Sequence, residues 1–334
     1  MPELDGKAVL VTGGTGSFGK KFVATLLAQH KPRKVVVFSR DELKQFEMME
    51  TPGFSTSDGV QYFIGDVREP ERLRTAFRGI DVIIHAAALK QVPACEYNPF
   101  EAIKTNVLGA QNVVTAAIEA GVSRVIALST DKAAGPVNLY GATKLCSDKL
   151  FVAGNNMVGE AKTRFSVVRY GNVMGSRGSV IPYFQRQARE LGKVTVTDSR
   201  MTRFSITLAE GVNFVLKSLS RMQGGELFVP KIPSYRILDV AEAVAPGCPV
   251  EEIGIRPGEK LHESMITVDD ARDTLEYDDY YAIQPALSWW TNSKTEGCKP
   301  CSENFAYTSD KNDRWLTVDE LRQFIKSEDL GSKK

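Results

Sequence analysis

The most constraining feature of this sequence is a glycine-rich turn set between a short apolar run and a helical segment. Lys7-Ala-Val-Leu-Val11 reads as a strand, and Thr12-Gly13-Gly14-Thr15-Gly16-Ser17-Phe18-Gly19 comes directly after it and opens a helix near Phe18. Glycines there permit a tight turn and close backbone approach, while the helix start aims free N–H groups and positive dipole at an anion. In this setting the turn is expected to bind a dinucleotide through Gly13, Thr15, Gly16, Ser17, Phe18 and Gly19.

The next stretch repeats the same unit. Lys34–Phe38, Gln61–Ile64, Asp81–His85, Arg124–Leu128 and Arg164–Val168 are nearly continuous apolar runs, as expected of parallel strands covered on both faces. Helical spacing marks Phe18–His30, Glu69–Arg78, Pro99–Ala120 and Tyr140–Asn155 between them. The predicted fold class is α/β, a Rossmann-type doubly wound parallel sheet with a smaller C-terminal substrate-binding lobe. The expected division is 1–174 for the nucleotide-binding domain, 175–290 for an interleaved lobe and 291–334 for a tail. A helix at 206–221 is expected to return to the first domain, and a capping box at Thr317-Val-Asp-Glu320 to start a short helix in the tail.

Forty-two basic against 41 acidic residues give a net charge of +1, which offers no footprint for nucleic acid or an anionic membrane. No apolar run reaches the roughly 18 residues of a membrane span, and the N-terminus has no signal-peptide layout, so a cytoplasmic location is expected. The five cysteines are odd in number and scattered. A disulfide framework is therefore not expected, and Cys298-Lys-Pro-Cys301 stands without a second pair or a nearby histidine, so no metal is expected.

Cofactor choice depends on the residues just past the second strand. An acid about 20 residues beyond the glycine turn binds the ribose 2′-hydroxyl of NAD, and a cation there accommodates the 2′-phosphate of NADP. That position holds Ser39-Arg40, with Lys44 one turn on, which favours NADP. Asp41 keeps NAD open, since a shift of one residue would bring a carboxylate to the ribose. Asp66 and Val67 are placed for adenine contacts, and Ala86, Ala87 and Ala88 let the cofactor pass close to the backbone.

Tyr140-Gly-Ala-Thr-Lys144 sets a phenol and an ammonium on one helical face. Such a pair is also common on helix surfaces. Here it comes after a strand ending in Ser129-Thr130, and a cation near a phenol stabilises the phenolate that a base near neutral pH requires. With Thr-Gly-x-x-Gly-x-x-Gly and Tyr-x-x-x-Lys together, the sequence resembles the extended short-chain dehydrogenase/reductase family over roughly residues 7 to 290. The resemblance implies Tyr140 as the base at a reacting hydroxyl, Lys144 as the group that holds the cofactor ribose and lowers the tyrosine pKa, and Thr130 as a hydrogen-bond partner of the reacting oxygen.

Asp131-Lys132 directly after Thr130 narrows the resemblance. Retaining nucleotide-sugar 4,6-dehydratases carry Asp-Glu there. Asp-Lys is similar to the inverting UDP-N-acetylglucosamine 4,6-dehydratases, as are His85-Ala-Ala-Ala-Leu-Lys90, Arg169-Tyr-Gly-Asn-Val173, Met201-Thr-Arg-Phe204 and Arg256-Pro-Gly-Glu-Lys260. That likeness implies C4 oxidation, loss of water across C5–C6, hydride return to C6 and an inverted C5. Lys132 would be the C5 base and reprotonating group and Asp131 the acid at the C6 hydroxyl. Lys132 must then be neutral part of the time, and burial and Lys144 are expected to lower its pKa against the opposing pull of Asp131.

The same likeness implies a UDP-sugar partner. Lys90, Asn172, Arg203, Arg256 and Glu259 fall in blocks that line the sugar nucleotide, with Ser179 and Val180 on its phosphate side and Thr195 and Met201 at its base. Lys90, Asn172 and Val173 also border the cofactor. A homo-oligomer and a place in bacterial surface-sugar synthesis of the pseudaminic acid and flagellin type are implied by the family alone. Gly135 departs from the family's Asp-Lys-Ala-Ala-Asn-Pro. A retaining dehydratase, a 4-epimerase and a non-catalytic NADP-binding regulator remain the alternatives.

Overall fold

The computed structural model describes residues 4–174, 180–286, 290 and 297–331. Strands β1 (Ala8–Thr12), β2 (Lys34–Ser39), β3 (Val60–Ile64), β4 (Val82–His85), β5 (Arg124–Thr130) and β6 (Arg164–Tyr170) form a parallel array in the order β3-β2-β1-β4-β5-β6. Leu227–Pro230 pairs parallel to β6, and Tyr280–Ile283, Thr274–Glu276 and Lys299–Pro300 extend the sheet antiparallel to ten strands. The strand order reverses direction at β1, where the chain leaves first toward β2 and later returns to β4. In open α/β sheets that crevice at the carboxyl ends of the strands is where ligands bind.

The apolar runs become strands because both faces are covered. Val9, Leu10, Val35, Val36, Val37, Ile83, Val125, Ile126, Val167 and Val168 are all buried in one core. Helix α1 (Ser17–Gln29) packs Phe22, Val23 and Leu26 on that sheet. The helix Leu208–Arg221 is started by the Thr207/Glu210 capping box and buries Val212, Phe214, Val215, Leu216 and Leu219 in the same core.

A second core joins Met174, Ile181, Phe184, Val194, Val196, Met201, Tyr235, Ile237 and Val240. The segment expected to be a separate tail is part of this body. Its Thr317/Glu320 box starts the helix Val318–Gly331, and Leu321 of that helix is buried among the lobe residues. Two further pieces of the tail pair with other elements: Lys299–Pro300 is an outer strand of the large sheet, and Tyr307–Thr308 pairs with Ser264–Ile266.

The helix expected over Pro99–Ala120 is broken. It runs as Pro99–Ile103, a π-helical turn Lys104–Leu108, and Gly109–Glu119. Within the turn, buried Asn106 donates to the Leu89 carbonyl (2.9 Å) and to Thr143 Oγ1 (3.0 Å), and accepts from Leu89 N (2.8 Å). The widened turn thereby ties the loop after β4 to the helix that carries Tyr140.

Candidate active site

A cleft of about 800 Å³ opens at the carboxyl ends of β1, β2, β4, β5 and β6. Its nucleotide-side wall holds Gly13, Thr15, Gly16, Ser17, Phe18, Gly19, Ser39, Arg40, Lys44, Asp66, Val67, Ala86, Ala87, Ala88 and Lys90. Tyr140, Lys144, Asn172 and Val173 face the same space.

The cradle fits a dinucleotide on two counts. Gly13 has φ 65°, and a Cβ there would lie 2.9 Å from the Ala87 backbone, so this turn exists only without a side chain. Helix α1 carries no side-chain cap at Gly16, which leaves its first-turn N–H groups open to an anion.

At the end of β2, the Ser39 hydroxyl meets Thr15 Oγ1 at 2.9 Å. Asp41, the residue that kept NAD open, is engaged elsewhere. It caps the helix Glu42–Met49 by accepting from Lys44 N at 3.0 Å, and it is ion-paired with the Lys44 ammonium. Its carboxyl is held below the ordinary range, first by the Lys44 side-chain bond. Arg40 is half-exposed and stands 3.6 Å from Asp66, whose carboxylate is gripped by Arg68 at 2.8 and 3.0 Å.

Beyond β5 the backbone turns through a single 3-10 turn, Asp131–Ala133. The helix Leu139–Gly154 then begins at the Asn138 cap, which accepts from Gly141 N at 2.8 Å. Gly135 between them has φ 55° and open space around a notional Cβ, with Thr267 Cγ2 at 3.8 Å. Asn and Gly are the residues that visit this left-handed region readily, so the departure from the family pattern preserves the loop.

Thr130 Oγ1 donates to Asp131 Oδ1 at 2.9 Å and bonds the Tyr140 hydroxyl. Lys132 Nζ reaches Asp131 Oδ1 at 3.1 Å, Glu263 Oε1 at 3.3 Å and Asn172 Oδ1 at 3.4 Å. Asp131 is fully buried and its Oδ2 has no partner among the described residues. Lys144 is buried, and one turn further on Asp148 accepts from Ser129 Oγ (2.7 Å) and from Arg169 (3.1 Å).

These contacts correct one expectation. Burial does oppose charge on Lys132, but the carboxylates of Asp131 and Glu263 outweigh it and hold the ammonium above its ordinary value. Lys132 also pulls on the Tyr140 phenol. Burial pushes Tyr140 up to about 12, and Lys132 and the Thr130 bond offset only part of it. Lys144 is lowered by burial, with Asp148 opposing.

Several residues expected at the substrate stand outside the cleft wall. Thr195 is tied to Gln187 (2.6 and 3.1 Å) inside the lobe. Met201 is buried there and accepts from Thr197. Arg203 donates to the carbonyls of Thr202, Leu261 and Lys260 and stands 3.7 Å from Glu263. Arg256 and Glu259 pair with each other at 3.9 Å. Their loop docks on the catalytic helix, where Asn138 donates to Gly258 O (2.8 Å) and Lys260 to Ala134 O (2.6 Å). Val180 faces the cleft; Ser179 lies outside the described residues.

Glu263 and Tyr235 are functional candidates missed at the sequence level. Glu263 sits three residues past the Arg256–Lys260 block and is 3% exposed. Tyr235 lines the cleft and bonds Asn172. A carboxylate or phenol in a lobe of mixed composition has no periodic signal, so only the fold brings these two beside Lys132.

A family model described as polysaccharide biosynthesis protein matches residues 9–285. A UDP-N-acetylglucosamine 4,6-dehydratase (inverting) of Campylobacter jejuni is 54% identical over 329 residues, 96% of this chain and 98% of the relative. A UDP-glucose 4-epimerase of Rickettsia canadensis is 39% identical over 328 residues, covering 96% and 95%. Among solved structures, Pen from Bacillus thuringiensis aligns with a TM-score of 0.89 at 39% identity over 98% of this chain and 99% of that one. The dTDP-glucose 4,6-dehydratase DesIV of Streptomyces venezuelae, with NAD and TYD bound, shares the fold at TM-score 0.67 and 23% identity, over 76% and 86% of the two chains.

Proposed function

The chain belongs to the polysaccharide biosynthesis protein family, and we propose that it acts within it as an inverting UDP-N-acetylglucosamine 4,6-dehydratase, a hydro-lyase with resident NADP. The observation that carries this reading is the Asp131–Lys132 pair at the end of β5, its carboxylate buried and its ammonium at the cleft, one hydrogen bond from the Thr130–Tyr140 couple. A 4-epimerase needs a base at C4 but neither an acid at C6 nor a base at C5. The Campylobacter relative at 54% identity supports the same choice.

When bound, the dinucleotide supplies the chemistry the side chains lack, accepting hydride from C4 and returning it to C6. The preference for NADP is supported by Arg40 and Ser39 at the cleft and by the engagement of Asp41 as a helix cap. Lys44, expected as a helper, is neutralised by Asp41 in this arrangement; a 2′-phosphate would compete for it.

Tyr140 takes the C4 hydroxyl proton as the alcohol becomes a ketone, with Thr130 orienting the oxygen. The ketone acidifies the C5 proton. Elimination then requires a neutral amine and a protonated acid together, and the 3.1 Å contact between Lys132 Nζ and Asp131 Oδ1 provides both in one move. A proton passing from ammonium to carboxylate leaves Lys132 free to take the C5 proton and Asp131 ready to protonate the departing C6 hydroxyl. The C5–H electron pair enters the C4 carbonyl and then forms the C5–C6 double bond as water leaves, and the pair ends as ammonium and carboxylate again. A solvent-derived proton delivered to C5 on the face opposite Lys132 completes the inversion.

The cytoplasm is the proposed setting. The described cysteines form no disulfide, which suits a reducing compartment, and no helix among the described residues is long and apolar enough to cross a membrane. Exposed Tyr97, Phe100 and Leu108 on the segment 92–108 support self-association.

The test is incubation of the purified protein with UDP-N-acetylglucosamine, with the product followed by mass spectrometry and NMR. Loss of one water and a C6 methyl group are expected. Return of an intact hexose epimerised at C4 would replace this reading with the epimerase one.

A further inference from the structure

Glu263 takes no part in the proton transfers assigned to Tyr140, Asp131 and Lys132, yet it occupies an expensive position. Its side chain is 3% exposed, Oε1 stands 3.3 Å from Lys132 Nζ and 3.7 Å from Arg203 Nε, and Oε2 has no partner among the described residues. A buried carboxylate with an unsatisfied oxygen is costly unless a nearby charge requires it. Its backbone is fixed on both sides: Glu263 N donates to Ser309 Oγ at 2.9 Å, and Ser309 N donates to Glu263 O at 2.8 Å. Ser309 in turn meets Thr202 Oγ1 at 2.7 Å. The carboxylate is thus built into a rigid junction and presented to Lys132, which lines the cleft.

We infer that Glu263 is a positioning residue for Lys132: with Asp131 and Asn172 it holds the ammonium in one place, and its anion keeps the shared proton on the Lys132–Asp131 pair into the alkaline range. An ammonium has three donors, and the three oxygens at 3.1, 3.3 and 3.4 Å account for them. Two of these oxygens follow β5 and β6 directly and the third comes from Glu263, 131 residues downstream, so Nζ is located only when the segment Glu263–Ile266 is docked on the sheet core. The other groups facing Lys132 are Arg203 and Lys260, which oppose its charge, and the phenols of Tyr140 and Tyr235. Removal of the Glu263 anion leaves Arg203 and Lys260 balanced by Asp131 alone. The shared proton is then lost at lower pH, because an anion that stabilised the protonated form is gone.

The inference rests on the dehydratase reading, and the test separates the two. C5–H exchange with deuterated solvent is followed by NMR as a function of pH in wild type, Glu263→Gln and Glu263→Asp, with nicotinamide reduction on substrate addition recorded in parallel as the C4 step. If the wild type shows C4 oxidation without C5 exchange, the dehydratase reading itself fails. Given wild-type exchange, Glu263→Gln is expected to retain C4 oxidation, to lose about 100-fold in C5 exchange, and to move the alkaline limb of exchange down by about one pH unit or more. Glu263→Asp keeps the charge but draws it back by one methylene; about a tenfold loss with the limb at its wild-type pH is expected. An unshifted limb in Glu263→Gln overturns the inference, and so does wild-type exchange in Glu263→Asp, which serves alone if the Gln variant does not fold.

Discussion

The proposed reaction asks Lys132 to be a base in a site that keeps it charged. Its carboxylate neighbours hold the ammonium above its ordinary value, so the neutral amine is reached by moving a proton to Asp131 rather than to solvent. Asp131→Asn removes that proton acceptor, and C5 exchange is expected to fall by about 10²–10⁴-fold while C4 oxidation persists, as read by nicotinamide absorbance in a single turnover. Equal loss of both steps would mean that Asp131 only shapes the loop. Burial pushes the Tyr140 phenol up to about 12 against the pull of Lys132, so C4 oxidation should climb with pH across the neutral range. Lys132→Met deletes that cation, makes the phenolate harder to form and should move the climb to higher pH; an unmoved profile would detach Lys132 from Tyr140. The Thr130, Tyr140 and Lys144 placements were legible in sequence because a strand end and a one-turn spacing fix them. The charge balance was not, since Glu263 arrives from 131 residues downstream through the pairing of Ser264–Ile266 with Tyr307–Thr308.

At the scale of elements, the site depends on how the helix Leu139–Gly154 starts. Asn138 both caps it, accepting from Gly141 N, and tethers the 256–260 loop through Gly258 O. Asn138→Ala is expected to destabilise the protein by about 1–2 kcal/mol, seen as a lower denaturation midpoint, and to raise KM for the sugar nucleotide more than for the dinucleotide. An effect confined to stability would show that the loop docks without the tether. Strands β1 to β6 were legible within a residue or two at most ends, because continuous β-branched runs have few other solutions. The π-helical turn at Lys104–Leu108 was not, since Pro99–Ala120 has ordinary helical spacing. Only the tertiary bond from Asn106 to Leu89 and Thr143 explains the extra residue in the turn. At the other wall, Arg40→Ala is expected to lower the preference for NADP over NAD about tenfold, measured by the ratio of dissociation constants, and an unchanged ratio would remove Arg40 from the 2′-phosphate.

Over the whole molecule, the two cores divide the work: the large core carries the glycine-rich cradle and the Glu263–Ile266 segment, and the second core brings Tyr235 and Val180 to the cleft. The lobe is completed from the far end of the chain by Leu321, which is fully buried. Leu321→Ala should cost about 2–5 kcal/mol and appear in hydrogen exchange as earlier opening of the lobe than of the sheet; uniform opening would show the two bodies to be one cooperative unit. Composition shifts announced the lobe, but the strands Lys299–Pro300 and Tyr307–Thr308 are too short to leave a periodic trace. The measurement that bears most directly on the Asp131–Lys132 chemistry is the NMR of product formed from UDP-N-acetylglucosamine in deuterated water. Deuterium at C5 together with the L-arabino configuration is predicted, because Lys132 removes that proton and a solvent proton returns to the opposite face; a product that keeps the starting C5 configuration would contradict the roles given to Asp131 and Lys132.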